Sequence, residues 1–374
     1  MVRFLLTADW HIGMPAHFLG DEAAPRFAAD RLAAVREAGR IARERGCAFA
    51  VACGDLFHAT FVGRPTVNRL VHALADFPVP LYILPGNHDP LEPGSVYLRP
   101  EFRVPPHVRL MDKPGVVAVP EAPGVEILAA PCLARHATRD LAAQACAAVE
   151  PAAAGTLRIL AAHGAVARFL PPDHVPPDVV DVAAIRGAIQ EGRIHVAGLG
   201  DRHSTTDLWD GRVWYPGSPE TTAFDEADPG NVLVVALDHG TCAVEPHRVG
   251  SWRFVRRAFH PAGDASLEEL GGWLDDLPDK GRTAVRLALA GTVGFRGRRA
   301  LDDLISGLDG VLASLEVDDQ ELAVMPDDFD FDQLALSGYA ASALRELTGR
   351  AQEGDRAARD ALALLFRLAG TGAA

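Results

Sequence analysis

The sequence predicts an α/β protein in which mixed sheets double into a sandwich flanked by helices, followed by a small βαβαβ unit and C-terminal helices. Three observations lead there. Apolar runs alternate with amphipathic stretches over the first 84 residues, short β-like runs parted by Pro and Gly fill much of 108–249, and a second strand-helix alternation starts near Ser251. With 48% hydrophobic and only 23% charged residues, the 374-residue chain has the material for a sizeable ordered core.

Residues 2–8 read as a buried strand, 26–45 as an amphipathic helix stopped by Gly46, and 49–53 as a second strand. A helix over 65–76 carries Pro65 in its first turn, and 79–84 is a third strand. Short strands follow at 108–111, 116–119 and 125–129, then a helix over 135–149 and a strand over 157–162. Strands at 195–198, 213–215, 231–237 and 242–249 complete the sandwich. Beyond Ser251, strands at 252–260, 283–289 and 311–317 alternate with helices at 266–277 and 298–308, the first opening on a Ser266/Glu269 capping box. The acidic stretch 325–332 reads as a linker, and 333–347 and 356–369 as closing helices.

The formal net charge of −14 argues against a surface coated for nucleic acid, although carboxylates that hold divalent cations can still be locally positive toward phosphate. Residues 251–300 hold nine Lys or Arg against six Asp or Glu, whereas 301–374 hold five against fifteen. The second unit is therefore the expected basic surface. Its candidates are Arg253, Arg256, Arg257, Arg282, Arg286, Arg296, Arg298 and Arg299, each equally well read as a solvated arginine. Five cysteines without a Cys-x-x-Cys pair suit a reducing compartment and exclude a thiolate zinc site of the usual spacing. The N-terminus reaches Asp9 too soon for a signal peptide, and no apolar run approaches the ~18 residues of a membrane span. A cytoplasmic protein is expected.

The chemistry gathers at strand ends. Leu84-Pro85-Gly86-Asn87-His88-Asp89 sets an amide, an imidazole and a carboxylate on a tight turn directly after the third strand. Four further clusters have the same placement: Asp9-Trp10-His11, Gly54-Asp55-Leu56-Phe57-His58, His163-Gly164 and Gly200-Asp201-Arg202-His203. A single Asp-x-His means nothing, but five polar clusters, each just past an apolar run, form a pattern. Carboxylates, imidazoles and one amide without thiolates suit two divalent cations, Mn2+ first and Fe2+ or Mg2+ after it. Two cations about 3.5–4 Å apart, bridged by one carboxylate, serve in-line hydrolysis of a phosphodiester. The assignment places Asp9, His11 and His203 on one metal, Asn87, His163 and Asp201 on the other, and Asp55 between them. His88 fits neither shell and is read as the imidazole acting on the transition state or leaving oxygen, with Asp89 orienting it. Trp10 and Phe57 are read as packing residues, and histidines outside the clusters, His136 and His174 among them, as surface or core residues.

These clusters resemble the five motifs of the calcineurin-like metallophosphoesterase superfamily over roughly residues 3–220. Thr7-Ala8-Asp9-Trp10-His11-Ile12-Gly13, Gly54-Asp55-Leu56-Phe57-His58, Pro85-Gly86-Asn87-His88-Asp89 and Tyr215-Pro216-Gly217-Ser218-Pro219-Glu220 look like the nuclease subunits of SbcCD-type double-strand-break repair complexes. The Asp-Arg-Gly that protein phosphatases carry after the second motif is absent. The resemblance implies a metal-dependent exonuclease and endonuclease acting on double-stranded DNA ends and single strands, with His58 assisting catalysis beside His88. It implies a nuclease domain over 1–250, a DNA-capping domain over 251–322, and an acidic linker with C-terminal helices over 323–374 that dock an SbcC-like ABC-type ATPase. It also implies a homodimer that engages no membrane. One position departs: the fifth motif is normally Gly-His-x-His, and here Asp201 stands for its first histidine. An aspartate can ligate through oxygen, yet its added charge weakens Lewis acidity. A small-molecule phosphodiesterase, or a DNA-binding scaffold with an impaired metal site, are the alternative functions.

Overall fold

The computed structural model describes residues 1–171, 173, 175–261, 266–324, 338–353, 355, 357–358, 361–362 and 364. The chain divides into two compact units, one of residues 1–17 and 24–252, the other of 18–23 and 253 onward.

In the first unit, strands β1 (Val2–Thr7), β2 (Phe49–Cys53), β3 (Leu81–Leu84) and β4 (Val108–Leu110) run parallel. The antiparallel pair β11 (Asn231–Leu237) and β12 (Cys242–Arg248) extends them to a six-stranded sheet ordered β12-β11-β1-β2-β3-β4. The second sheet is ordered β5-β6-β7-β8-β10-β9. Its strands are β5 (Gly115–Ala118), β6 (Val125–Ala130), β7 (Leu157–His163), β8 (Val196–Gly200), β9 (Thr206–Trp209) and β10 (Val213–Tyr215), with β6, β7, β8 and β10 parallel and both edges antiparallel.

Period-two alternation explains the layers. Phe4, Leu6, Phe49, Val51, Tyr82 and Leu84 point to one face of the first sheet and pack on Ile127, Ile159, Ala161 and Val196 of the second. The alternate set Leu5, Ala50, Ala52, Leu81 and Ile83 points outward, where helices α1 (Ala23–Glu44) and α2 (Arg64–Ala75) supply Val35, Ala38, Leu70 and Leu74. Leu128, Leu160, Ala162 and Leu199 meet Ala142, Cys146, Ile185 and Ala188 of α3 (Leu141–Ala147) and α4 (Val182–Gln190). Strands covered on both faces read in sequence as continuous apolar runs, which is why they stand out.

Several expectations move. The third strand pairs only from Leu81, because Pro78 and Pro80 offer no N–H to the ladder. The helix expected over 135–149 begins at Leu141, where the Asp140 carboxylate accepts the Ala143 N–H as an N-cap. Helix α4, capped by Asp181, and the edge strand β9 were not anticipated. No cysteine is paired.

In the second unit, β13 (Arg253–Phe259), β14 (Thr283–Val293) and β15 (Ser314–Val324) form a parallel sheet connected through α5 (Ser266–Asp275) and α6 (Phe295–Gly307), the expected βαβαβ pattern. Leu270, Leu274, Val285, Leu287 and Leu301 build its core. Segment 18–23 groups with this unit rather than the first, and the Phe18 ring meets Phe254 edge-on at 5.1 Å. Half of the expected basic surface is neutralised: Arg257, Arg282, Arg286 and Arg298 pair with Glu269, Asp279, Glu316 and Asp302. Helix α7 (Tyr339–Gln352) covers most of the first closing helix. The linker expected over 325–332 and the start of that helix lie outside the described residues, as does most of 356–369.

Candidate metal centre

Parallel strands deliver their C-terminal ends to one edge of a sheet, and here two sheets deliver them to one place. The loops after β1 and β2 zip together through Asp9 N–H to Gly54 O (3.0 Å), His11 N–H to Asp55 O (2.9 Å) and Ile12 N–H to Leu56 O (2.8 Å). The Asp201 N–H donates to the Asp9 carboxylate at 2.9 Å and so ties the second sheet to the first. Among the described residues six non-glycine positions have φ in the left-handed range, and four are Asp9 (54°), His11 (45°), Asp55 (55°) and Asp201 (103°). Strain of this kind persists where the surroundings over-determine the backbone, and it clusters at functional sites. Two glycines complete the cradle. A Cβ at Gly86 would strike the Asp55 carboxylate, and one at Gly200 would strike the Cys53 carbonyl and His163 ring.

All seven expected ligands converge. Asp9, His11 and His203 form one compact group and Asp9, Asp55 and His163 another. Asp55 lies between the imidazoles, with Oδ2 3.8 Å from His11 Nε2 and 3.5 Å from His163 Nε2. On the other side His163 Nε2 is 3.2 Å from Asn87 Oδ1 and 4.0 Å from Asp201 Oδ1, while Asn87 Nδ2 is 3.4 Å from Asp201 Oδ1. Asp201 thus lies beside Asn87 and His163.

The tautomers follow from the partners. Cys53 O can only accept, so His163 Nδ1 donates to it (2.9 Å) and Nε2 faces the carboxylates. His203 Nδ1 donates to Glu226 Oε1 at 3.0 Å, and Thr222 shares both groups. The remaining His203 Nε2 then faces His11 Nε2 at only 2.9 Å. Two ring nitrogens so placed repel unless a proton or cation stands between them, and the adjacent Asp9 and Asp55 oxygens favour a cation. The donor set therefore fits a divalent metal.

Burial dominates the electrostatics. It lifts the Asp9 carboxyl to about 7, against the pull of His203 and His163, and raises Asp201 against the pull of His163. Burial opposes charge on His163, but Asp55, Asp9 and Asp201 outweigh it and hold the proton up to about 9. His203 is also raised, Glu226 overcoming burial, whereas burial holds His11 well below the usual imidazole range. Metal must displace the protons on Asp9 and His163, so affinity rises with pH. We expect the apparent Kd for Mn2+ to fall by up to about tenfold per pH unit per displaced proton between pH 6 and 9. Calorimetry in buffers of different ionisation enthalpy reads the release, and a pH-independent Kd would contradict this linkage.

His58 and His88 also lie here, within ligand reach of His11 as a third group. His88 Nδ1 donates to the His58 carbonyl at 2.7 Å, and the two rings lie 5.4 Å apart. Burial, followed by the neighbouring His88 imidazole, takes His58 down to about 4. Asp89 corrects the sequence reading, since its carboxylate does not orient His88. It is fully buried and accepts the N–H groups of Gly86 (2.8 Å), Phe57 (2.8 Å) and Asp55 (3.2 Å) and the Tyr97 hydroxyl (2.6 Å). Trp10 and Phe57 are buried packing residues, as expected.

Sequence reasoning missed Glu226, Thr222 and Tyr97, whose only signal is proximity in the fold. The Pro216-Gly217-Ser218-Pro219-Glu220 segment proves to be an anchor: the Ser218 hydroxyl is shared by the carbonyls of Asp9 and Glu220, and the buried Glu220 carboxylate accepts the N–H groups of Ser251 and Trp252. Glu226→Ala frees the His203 ring and should weaken Mn2+ binding about 10- to 100-fold. An unaltered Kd would show that Glu226 does not set the ring.

A sandwich with mixed sheets, helices on its outer faces and Asp, His and Asn donors at converging strand ends defines a class, the metal-dependent phosphoester hydrolases. The model of the calcineurin-like phosphoesterase family matches residues 2–235, and the chain belongs to that family. No curated protein matches the chain. Solved structures similar to it include TT1561 of Thermus thermophilus, with TM-score 0.40, 12% identity, and 66% of this chain and 99% of that chain covered. Another is the purple acid phosphatase PPD1 from yellow lupin (Lupinus luteus) seeds, with TM-score 0.39, 13% identity, and 66% and 51% covered. Among the described residues no helix is long and apolar enough to cross a membrane.

Proposed function

We propose that this phosphoesterase is a DNA phosphodiesterase of SbcD type, cutting single strands and duplex ends with two Mn2+ ions in partnership with an ABC-type ATPase that docks on 333–369. The observation that carries the reading is His58, the second-motif histidine, placed beside His88 and His11 at the centre. Bound cations would activate the attacking water and neutralise phosphate charge. Asp9, Asp55, Asp201 and the imidazoles would hold them, and Asn87 would offer its amide oxygen. His88, with Nδ1 committed to the His58 carbonyl, presents Nε2 to the departing oxygen. His58, neutral at pH 7, adds no charge that would repel His88. Five unpaired cysteines support a reducing, cytoplasmic setting.

A cavity of about 200 Å³ bordered by Asn87, His163 and Asp201 favours a second reading, a hydrolase of small phosphodiesters. Purified protein in Mn2+, assayed on a single-stranded oligonucleotide, a blunt duplex and bis-p-nitrophenyl phosphate, separates the two. Cleavage of DNA supports the nuclease reading. Turnover of the small diester with inert DNA replaces it.

A further inference from the structure

Two guanidinium groups converge on one exposed aromatic ring beside the candidate metal centre. Arg202 Cζ lies 3.6 Å from the centroid of the Phe169 ring and Arg168 Cζ 4.5 Å from it. Phe169 is 36% exposed, and Tyr215 borders it at 6.4 Å while donating its hydroxyl to the Gly164 carbonyl. Both arginines sit on the chain next to ligand candidates: Arg202 separates Asp201 from His203, and Arg168 follows His163-Gly164 by four residues.

Neither arginine pairs with a carboxylate among the described residues. Arg202 Nε donates to the Thr206 hydroxyl at 3.1 Å, and Arg168 reaches the Asp207 carbonyl at 3.5 Å. The Asp207 carboxylate is itself taken by the N–H groups of Trp209 and Gly211. This contrasts with Arg257, Arg282, Arg286 and Arg298 of the second unit, each paired with a carboxylate. Two uncompensated like charges on one ring repel each other, and the arrangement gains from an anion that accepts from both. The part-exposed ring and the Arg202 guanidinium stacked on it add a flat platform against which a base can stack. A lone phosphate would use the cations only, whereas a single strand uses cations and ring together.

We infer that Arg168, Phe169 and Arg202 form a strand-binding subsite that grips the backbone and stacks one base of a single-stranded nucleic acid next to the scissile phosphate. The inference rests on the nuclease reading above. It is tested with a labelled, non-hydrolysable phosphorothioate oligonucleotide in Mn2+, by fluorescence anisotropy across a salt series. Arg168→Ala and Phe169→Leu should each raise its Kd, roughly tenfold for the lost ring. Arg168→Ala should also lower the salt slope by about one unit, Phe169→Leu should leave the slope unchanged, and Arg168→Lys should recover it. In turnover, kcat/KM for an oligonucleotide should fall at least tenfold further than for bis-p-nitrophenyl phosphate. Wild-type binding with all three variants equal in Kd and slope overturns the subsite and leaves the nuclease reading standing. No wild-type binding, alongside turnover of the small diester, overturns both.

Discussion

Asp55→Ala lowers kcat/KM for any phosphodiester by at least about 10³-fold, a loss of about 4 kcal/mol in transition-state stabilisation. Asp55 stands between the imidazoles of the two halves, with Oδ2 within 4 Å of His11 and His163. Its Oδ1 meanwhile accepts the His88 N–H at 2.9 Å, so the same group sets the backbone of His88. Removing it takes a bridge from both candidate cation positions and a backbone anchor from His88. Asp55→Asn keeps the shape and removes the charge, and should lose nearly as much activity while retaining the melting temperature. Activity within tenfold of wild type in either variant would remove Asp55 from its central position.

Asp89→Ala acts on stability instead. Four donors converge on this buried carboxylate, and truncation strands the N–H groups of Gly86, Phe57 and Asp55 together with the Tyr97 hydroxyl. Breaking such a network costs about 3–5 kcal/mol, so the melting temperature should drop by about 10 °C or more. Tyr97→Phe removes one donor and should cost about 1 kcal/mol. A melting temperature unchanged in Asp89→Ala would mean the loops keep their shape without the clamp. Any loss of activity in Asp89→Asn should then track the loop geometry rather than a proton held by Asp89.

The strand ends were legible because parallel strands buried on both faces give unbroken apolar runs, and the polar residue that ends each run lies at one edge of its sheet. Asp9, Asp55, Asn87, His163 and His203 were readable for that reason. The direction in which a carboxylate turns was not. Asp89 follows His88 in the chain yet faces inward, because the N–H groups left open by three tight loops collect beneath it. Glu226 reaches His203 across 23 residues of turns and edge strand, and no periodicity records that contact. The helix expected from Arg135 starts at Leu141 because Asp140 caps it there. Net charge also hides local pairing: Arg257, Arg282, Arg286 and Arg298 of the second unit are spent on neighbouring carboxylates, while Arg168 and Arg202 in the acidic first unit are not.

The central claim is that two cation positions share Asp55. A crystal soaked in Mn2+, with anomalous scattering recorded, tests it most directly. Two peaks are predicted, one touched by Asp9, His11 and His203, the other by Asn87, His163 and Asp201, with Asp55 contacting both. A single peak, or peaks that leave Asp55 or Asp201 without contact, would contradict it.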